Sequence, residues 1–170
     1  MRDHFKMMAS YNAWSNARLY ATVAELSDAD YRADLGAFFK SVHGTLNHIL
    51  VADQIWMNRF SGSGPLPTAL DQVLHEDFAP LQTARSQEDQ RIVAFADALT
   101  DDAIAGHFHY YPLTEPDRHI SQPLGPALSH FFNHQTHHRG QVHTLLTRLT
   151  GEAPSLDLIY FQRETGTGLS

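Results

Sequence analysis

The sequence contains no cysteine, which excludes disulfide bonds, cysteine-rich zinc sites and a cysteine nucleophile. It also has no run that approaches the roughly 18 uncharged apolar residues of a membrane-spanning helix. Residues 1–8 carry charges where a secretory signal would need an apolar segment, so no signal peptide is expected. Together these absences predict a cytoplasmic protein that is not embedded in a membrane.

Positive charge is scarce as well. Twelve lysines and arginines stand against 19 aspartates and glutamates, so the formal charge is −7 with histidine neutral. No basic patch interrupts this balance. We therefore expect neither nucleic acid nor a membrane surface to be the main partner, because both are anionic.

Glycine and proline are missing from residues 3–26, and the spacing of apolar residues there and in three later stretches predicts helices. Apolar residues recur at intervals of three and four over residues 3–26, 41–60, 77–99 and 126–150. A short helical turn follows Ser27, a hairpin-like excursion precedes the last long helix, and a short helix is expected at 155–164. The pattern predicts an all-α four-helix bundle, with a single domain at residues 1–165 and a flexible tail at 166–170.

A polar segment and three aromatic residues are interpreted as structural features. The polar middle of the third long helix, Arg85–Arg91, is interpreted as a solvated face with ion pairs along the helix. Trp14 and the pair Phe38 and Phe39 are interpreted as core or dimer-contact aromatics rather than as a platform for a ligand.

Histidine is the residue type that stands out. Five of the twelve histidines lie between residues 129 and 143, within the last long helix. At roughly 100° per residue, His134 and His138 fall on the apolar stripe of that helix, one turn apart. His137 and His143 fall off the stripe, and His130 falls at its edge.

Two imidazoles on a buried helical face need partners, because an unpartnered buried polar ring costs roughly 1–3 kcal/mol. A shared divalent cation would supply one, and hydrogen bonds to neighbouring side chains or backbone would supply another. Spacing alone leaves both explanations open and does not identify a third ligand.

The remaining histidines give no clear signal by themselves. His48 shares a secondary strip of the second long helix with Ala52 and Ile55. Taken alone, it would be interpreted as an exposed residue without a specific role. His43 lies on another side of that helix. The three histidines of the hairpin region are expected to face solvent: His107, His109 and His119.

Three segments resemble the DinB (damage-inducible) family of metal-binding four-helix bundles, in the same order along nearly the whole chain. They are Gly-Thr-Leu-Asn-His-Ile-Leu-Val-Ala-Asp-Gln-Ile-Trp at 44–56, Asn-His-Gln-Thr-His-His-Arg-Gly-Gln at 133–141 and Asp-Leu-Ile-Tyr-Phe-Gln-Arg-Glu at 157–164. The resemblance implies that His48, His134 and His138 ligate a divalent metal ion, most commonly nickel or zinc, and that the protein is a homodimer. It assigns no catalytic side chain.

The resemblance also favours an enzymatic function, because relatives of this fold include transferases and isomerases that use small thiols such as bacillithiol, mycothiol or glutathione. Three imidazoles would leave a coordination position for water or for such a thiol, which must be a small molecule because the chain has no cysteine. We therefore expect a metal-dependent thiol S-transferase. The alternatives are a metal-dependent hydrolase, a non-catalytic metal-binding stress-response protein, and a metal-free bundle that only self-associates.

Two neighbours of the histidine pair are candidates for supporting roles. Gln141 could hydrogen-bond a ligand, and His130 could carry protons or orient a ligand, but a purely structural role is the preferred interpretation for each. Acid should release the ion between roughly pH 6 and 5, just below the unperturbed histidine pKa.

Overall fold

The computed structural model describes residues 1–168, which form seven helices and one two-stranded antiparallel sheet. The helices are α1 Arg2–Val23, α2 Asp28–Arg32, α3 Val42–Ser61, α4 Phe78–Ala98, α5 Asp101–Ala105, α6 Leu124–Thr150 and α7 Leu158–Thr165. The strands are β1 His107–Tyr110 and β2 Ile120–Pro123, with His107 opposite Pro123. The predicted all-α bundle is confirmed. None of the helices in this described part has the length and apolarity needed to cross a membrane.

The four long helices form the bundle. Helices α1 and α3 each pack against both α4 and α6, so α1 and α3 lie across a diagonal. The order of the helices around the bundle therefore differs from their order in the sequence, which the long connections after α3 and α4 allow. This arrangement places one face of α3 directly against α6.

The helix ends follow local rules. Ser41 caps α3, because its side-chain oxygen accepts a hydrogen bond from the backbone N–H of Gly44 at 3.0 Å. Helix α6 ends at Gly151, whose positive φ of 81° closes the helix as predicted.

A layer of buried polar side chains divides the apolar core into two clusters. One cluster includes Leu46, Leu81 and Leu146, and the other includes Phe5, Ile92 and Phe131. Each long helix contributes to the polar layer between them: Asn12 and Asn16 from α1, Asp53 from α3, Arg85 and Asp89 from α4, and Arg139 from α6.

This layer corrects the prediction that the polar middle of the third long helix is a solvated face. Arg85 is only 2% exposed, and Glu88 and Asp89 are also buried. Arg85 Nη1 donates to Asp53 Oδ2 at 2.6 Å, and Arg85 Nη2 lies 3.0 Å from Asp89 Oδ1. The charges point inward because α3 supplies a carboxylate partner, which the sequence of α4 alone cannot reveal.

Some boundaries also differ from prediction. Helix α1 ends at Val23 rather than at residue 26, α6 begins at Leu124, and the unpredicted helix α5 precedes the hairpin. Thr100 was an available signal for α5, because its hydroxyl accepts a hydrogen bond from the Ala103 N–H at 3.1 Å. The predicted short turn after Ser27 is confirmed as α2. Residues 169 and 170 of the predicted tail lie outside the described residues.

Candidate metal centre

Three histidines converge between α3 and α6. His48, His134 and His138 each offer one ring nitrogen, and these three atoms lie within 4.8 Å of one another. The ring centroids are 4.3 Å apart for His134 and His138, and 4.5 Å apart for His48 and His138. Nitrogen atoms bound to one tetrahedral zinc ion would be about 3.4 Å apart. Small side-chain rotations would therefore bring the set to a common ion.

Backbone geometry explains why these residues meet. His134 and His138 are four residues apart on α6, so their side chains lie one above the other on the same face. His48 projects from α3, which packs against α6. Helix α6 thus supplies two candidate ligands through local spacing, whereas the third depends on helix packing.

Hydrogen bonds orient two of the rings. His48 Nδ1 donates to the Leu70 carbonyl oxygen at 2.9 Å, because a carbonyl can only accept. His138 Nδ1 donates to Gln141 Oε1 at 2.8 Å, so Gln141 does hydrogen-bond a candidate ligand. In both rings Nε2 keeps its lone pair, as a metal-ligating histidine with an outer hydrogen-bond acceptor requires.

The protein environment keeps these imidazoles neutral. Burial lowers the pKa of His134 to about 3, and repulsion from His138 and His48 adds to this effect. Burial also lowers the pKa of His138 to about 4, although its hydrogen bond with Gln141 acts in the opposite direction. The pKa of His48 is lowered by burial too, against the effect of the Leu70 carbonyl. Neutral rings are the form that binds a metal ion.

One aromatic residue lies against the cluster. Phe39 stacks on His48 with ring centroids 3.8 Å apart, and its ring lies 5.6 Å from that of His138. Phe38 is 84% exposed, so it is not a core residue. Trp14 does pack as predicted, against Tyr11 and Phe161.

The other histidines lie outside the group of three. His43 Nε2 hydrogen-bonds the His75 carbonyl oxygen, on another side of α3. His130 is exposed, and its ring centroid is 6.0 Å from that of His134. No hydrogen bond joins His130 to His134 within residues 1–168, so the structure does not support a ligand-orienting role for His130. His137 is exposed, as are the three hairpin histidines, in agreement with prediction: His107, His109 and His119.

A cavity of about 240 Å³ opens beside the cluster. His48 and His134 line one end, and His130 also contributes. The walls come from α3, from the connection between α3 and α4, and from the connection between the hairpin strands: Ala52, Ile55, Trp56, Arg59, Leu70, Pro112, Leu113 and Thr114.

Sequence reasoning missed two of these residues, Trp56 and Arg59. A usable signal was present, because residues 48, 52, 55 and 59 recur at helical spacing and share one strip of α3. That strip was recognised only as far as Ile55. What it faces depends on the hairpin connection, whose position periodicity does not predict.

These features define a class of protein: a helical bundle whose buried, neutral three-histidine group could hold a divalent metal ion beside a small cavity. Within that class, comparison with known proteins is specific. The model of the DinB family matches residues 1–167, and the chain belongs to this family. Protein DinB of Bacillus subtilis (strain 168) is similar to it, with 22% identity over 167 residues that cover 90% of each chain.

Proposed function

We propose that this chain is a metal-dependent enzyme of the small-molecule thiol S-transferase type. The observation that carries the proposal is a group of three neutral imidazoles, two of which, His48 and His134, line a cavity. His48, His134 and His138 would hold the ion, and nickel or zinc suits imidazole ligands. Three protein ligands are typical of catalytic sites, whereas structural zinc sites use four.

The residues present fit a metal ion. The hydrogen bonds to Leu70 and Gln141 leave Nε2 of His48 and His138 available for coordination. A bound divalent ion would supply the charge that stabilises a thiolate at neutral pH. The thiol is a substrate, because the chain contains no cysteine.

In the proposed reaction the S–H bond of the thiol and the bond between carbon and leaving group break, while a C–S bond forms. The leaving group departs with its electron pair, and the thiol proton is transferred away. His130, exposed at the cavity and 6.0 Å from His134 between ring centroids, is the side chain we propose to accept that proton. The apolar cavity wall would hold the electrophile and exclude water.

Turnover by metal-loaded protein tests this proposal. Small thiols should be combined with alkyl halides, epoxides and activated alkenes, and loss of free thiol should be followed over time. We expect activity in the wild type and in His137→Ala, an exposed neighbour on α6, and none in His134→Ala. Absence of turnover, or turnover that survives His134→Ala, would contradict the proposal.

The same assay distinguishes the alternatives. Esters and amides added without thiol would be cleaved by a metal-dependent hydrolase. A non-catalytic metal-binding protein would lose thermal stability when the metal is removed, yet neither thiols nor esters would react. Homodimer formation and a cytoplasmic location remain predictions, the former measurable by sedimentation equilibrium.

A further inference from the structure

Arg59 lies on the same strip of α3 as His48, about three turns further along the helix, and both side chains line the cavity. Its guanidinium carbon is 4.8 Å from the centre of the Trp56 ring and 4.5 Å from that of Tyr110. Trp56 lies one turn before Arg59, so the arginine side chain points back along the helix toward His48. The guanidinium is thus positioned by two aromatic faces.

The Arg59 side chain lacks an anionic partner within residues 1–168. Arg85 is paired with Asp53 and Asp89, and Arg91 is paired with Glu88, whereas the buried Arg139 donates hydrogen bonds to Asn12 and Thr136. Arg59 is half-buried, but no carboxylate lies within salt-bridge distance and no acceptor within hydrogen-bond distance in this part of the chain. Burial lowers the pKa of Arg59, against the opposite effect of Tyr110.

The cavity connects this cation to the histidines. The helix rises about 16 Å between positions 48 and 59. Because the Arg59 side chain points back toward His48, the distance from its guanidinium to the histidine ring is shorter than this rise. Between the two ends the wall is mainly apolar, formed by Ala52, Ile55 and Leu113. At about 240 Å³ the cavity is smaller than the roughly 300–1,000 Å³ of sites for drug-sized ligands.

We propose that Arg59 binds an anionic group, a carboxylate or a phosphate, on a small molecule whose apolar body fills this cavity and whose other end reaches the three histidines. Planar guanidinium groups bind both anions with two parallel hydrogen bonds. The substrate class is therefore a short apolar acid. This inference deepens the proposed function and rests on it for the role of the histidine end.

Binding of non-reacting probes to the metal-free protein tests the anion site separately from catalysis. Hexanoate, hexyl phosphate and 1-hexanol should be titrated and followed by NMR shifts of the Trp56 indole. We expect at least one anion to bind the wild type about tenfold more tightly than 1-hexanol, since hydrogen bonds to charged groups are strong. Comparing the two anions identifies which one the site prefers.

Variants locate the effect. Arg59→Gln should reduce anion binding about tenfold and leave 1-hexanol binding unchanged, and Arg59→Lys should fall between Gln and the wild type because the planar fork is lost. Arg163→Gln removes the same charge from an exposed position on α7 and should change nothing. Equal binding of both anions by wild type and Arg59→Gln would overturn the proposal.

Two further measurements keep the outcomes separate. If Arg59→Gln does not fold, equal affinities of the wild type for hexanoate, hexyl phosphate and 1-hexanol would still overturn the anion site. Cobalt-loaded protein titrated with 6-mercaptohexanol reports thiolate binding through its absorption band, without any anionic group. If no such band appears while hexanoate still binds, the proposed function is refuted but the anion site is supported.

Discussion

Two groups of buried polar side chains share helix α3. His48 belongs to the three-histidine group, whereas Asp53, five residues later and roughly 140° around the helix, belongs to the charged layer with Arg85 and Asp89. The carboxylates of the charged layer receive hydrogen bonds inside the protein, from Arg85 to Asp53 and from Asn12 and Asn16 to Asp89. In the histidine group, one ring nitrogen from each of the three residues lies within 4.8 Å of the other two, and no carboxylate belongs to this group.

Burial disfavours the charged form in both groups, but the neighbouring charges differ. In the histidine group burial lowers the pKa of His134 and His138, and the neighbouring histidines lower it further. In the charged layer burial opposes the charge of Arg85, but Asp89 and Asp53 outweigh it and raise the pKa of the guanidinium. The comparison teaches that buried groups of opposite charge, such as Arg85 and Asp53, compensate one another within the protein, whereas three clustered imidazoles without an opposite charge can accept a cation.

The largest expected effect is on metal content. His138→Ala or His48→Ala should reduce the bound metal from about one equivalent to none after dialysis, because three ligands are the minimum for such a site. Elemental analysis of untagged protein measures this. His137→Ala, adjacent but exposed, should retain the ion. A full equivalent in His138→Ala would show that the histidine group is structural, like the charged layer.

Substitutions in the charged layer should change the free energy of unfolding rather than the metal content. Arg85→Met leaves Asp53 and Asp89 buried without their cation, so the free energy of unfolding should fall by about 3–5 kcal/mol. Urea denaturation of metal-free protein measures this. Arg118→Met, which breaks the exposed pair with Glu115, should cost less than about 1 kcal/mol. If both variants lose the same small amount, the charged layer does not stabilise the bundle as proposed.

A substitution of Gln141 tests whether a hydrogen bond to a metal-ligating histidine affects metal affinity. Gln141→Leu removes the acceptor for His138 Nδ1 and should weaken metal affinity about 10–100-fold while the fold persists. Competition with a chromophoric chelator gives the affinity. Gln87→Leu, on the exposed face of α4, provides the control. Unchanged affinity in Gln141→Leu would mean that the hydrogen bond does not tune the site.

A further expected effect concerns pH. Unfolded histidine has a pKa of about 6.5, whereas His134 and His138 have pKa values of about 3 and about 4 in the folded chain. The unfolded chain therefore binds more protons below pH 6.5, and the free energy of unfolding of metal-free protein should fall as the pH decreases from about 6.5 toward about 3. His134→Ala should show a shallower dependence in urea denaturation.

The same pKa values revise the expected pH of metal release. Protons compete for these rings only at lower pH than for an unperturbed histidine. The pH at which half of the metal is released should therefore lie below about 5. Metal content after dialysis at graded pH measures this. Complete release at pH 6 would contradict the lowered pKa values.

Much of the bundle could be predicted from the sequence because helix periodicity is a local property. The four long helices, the end of α6 at Gly151 and the shared face of His134 and His138 all depend on residues within a few turns of one another. His48 needed more than local pattern, and it was assigned through resemblance to a family. Arg85 and Asp89 were misplaced because charged residues on one helix do not show whether another helix carries the opposite charge.

By itself, then, the sequence determined which side chains share a helical face, since about 3.6 residues complete each turn whatever the surroundings. Only the tertiary structure decided which faces meet. It brought His48 to the pair on α6, directed Arg85 onto Asp53, and set the connection between the hairpin strands over the strip that ends at Arg59. These choices depend on packing between distant segments, where shape and charge must match across helices, and no local repeat records that match.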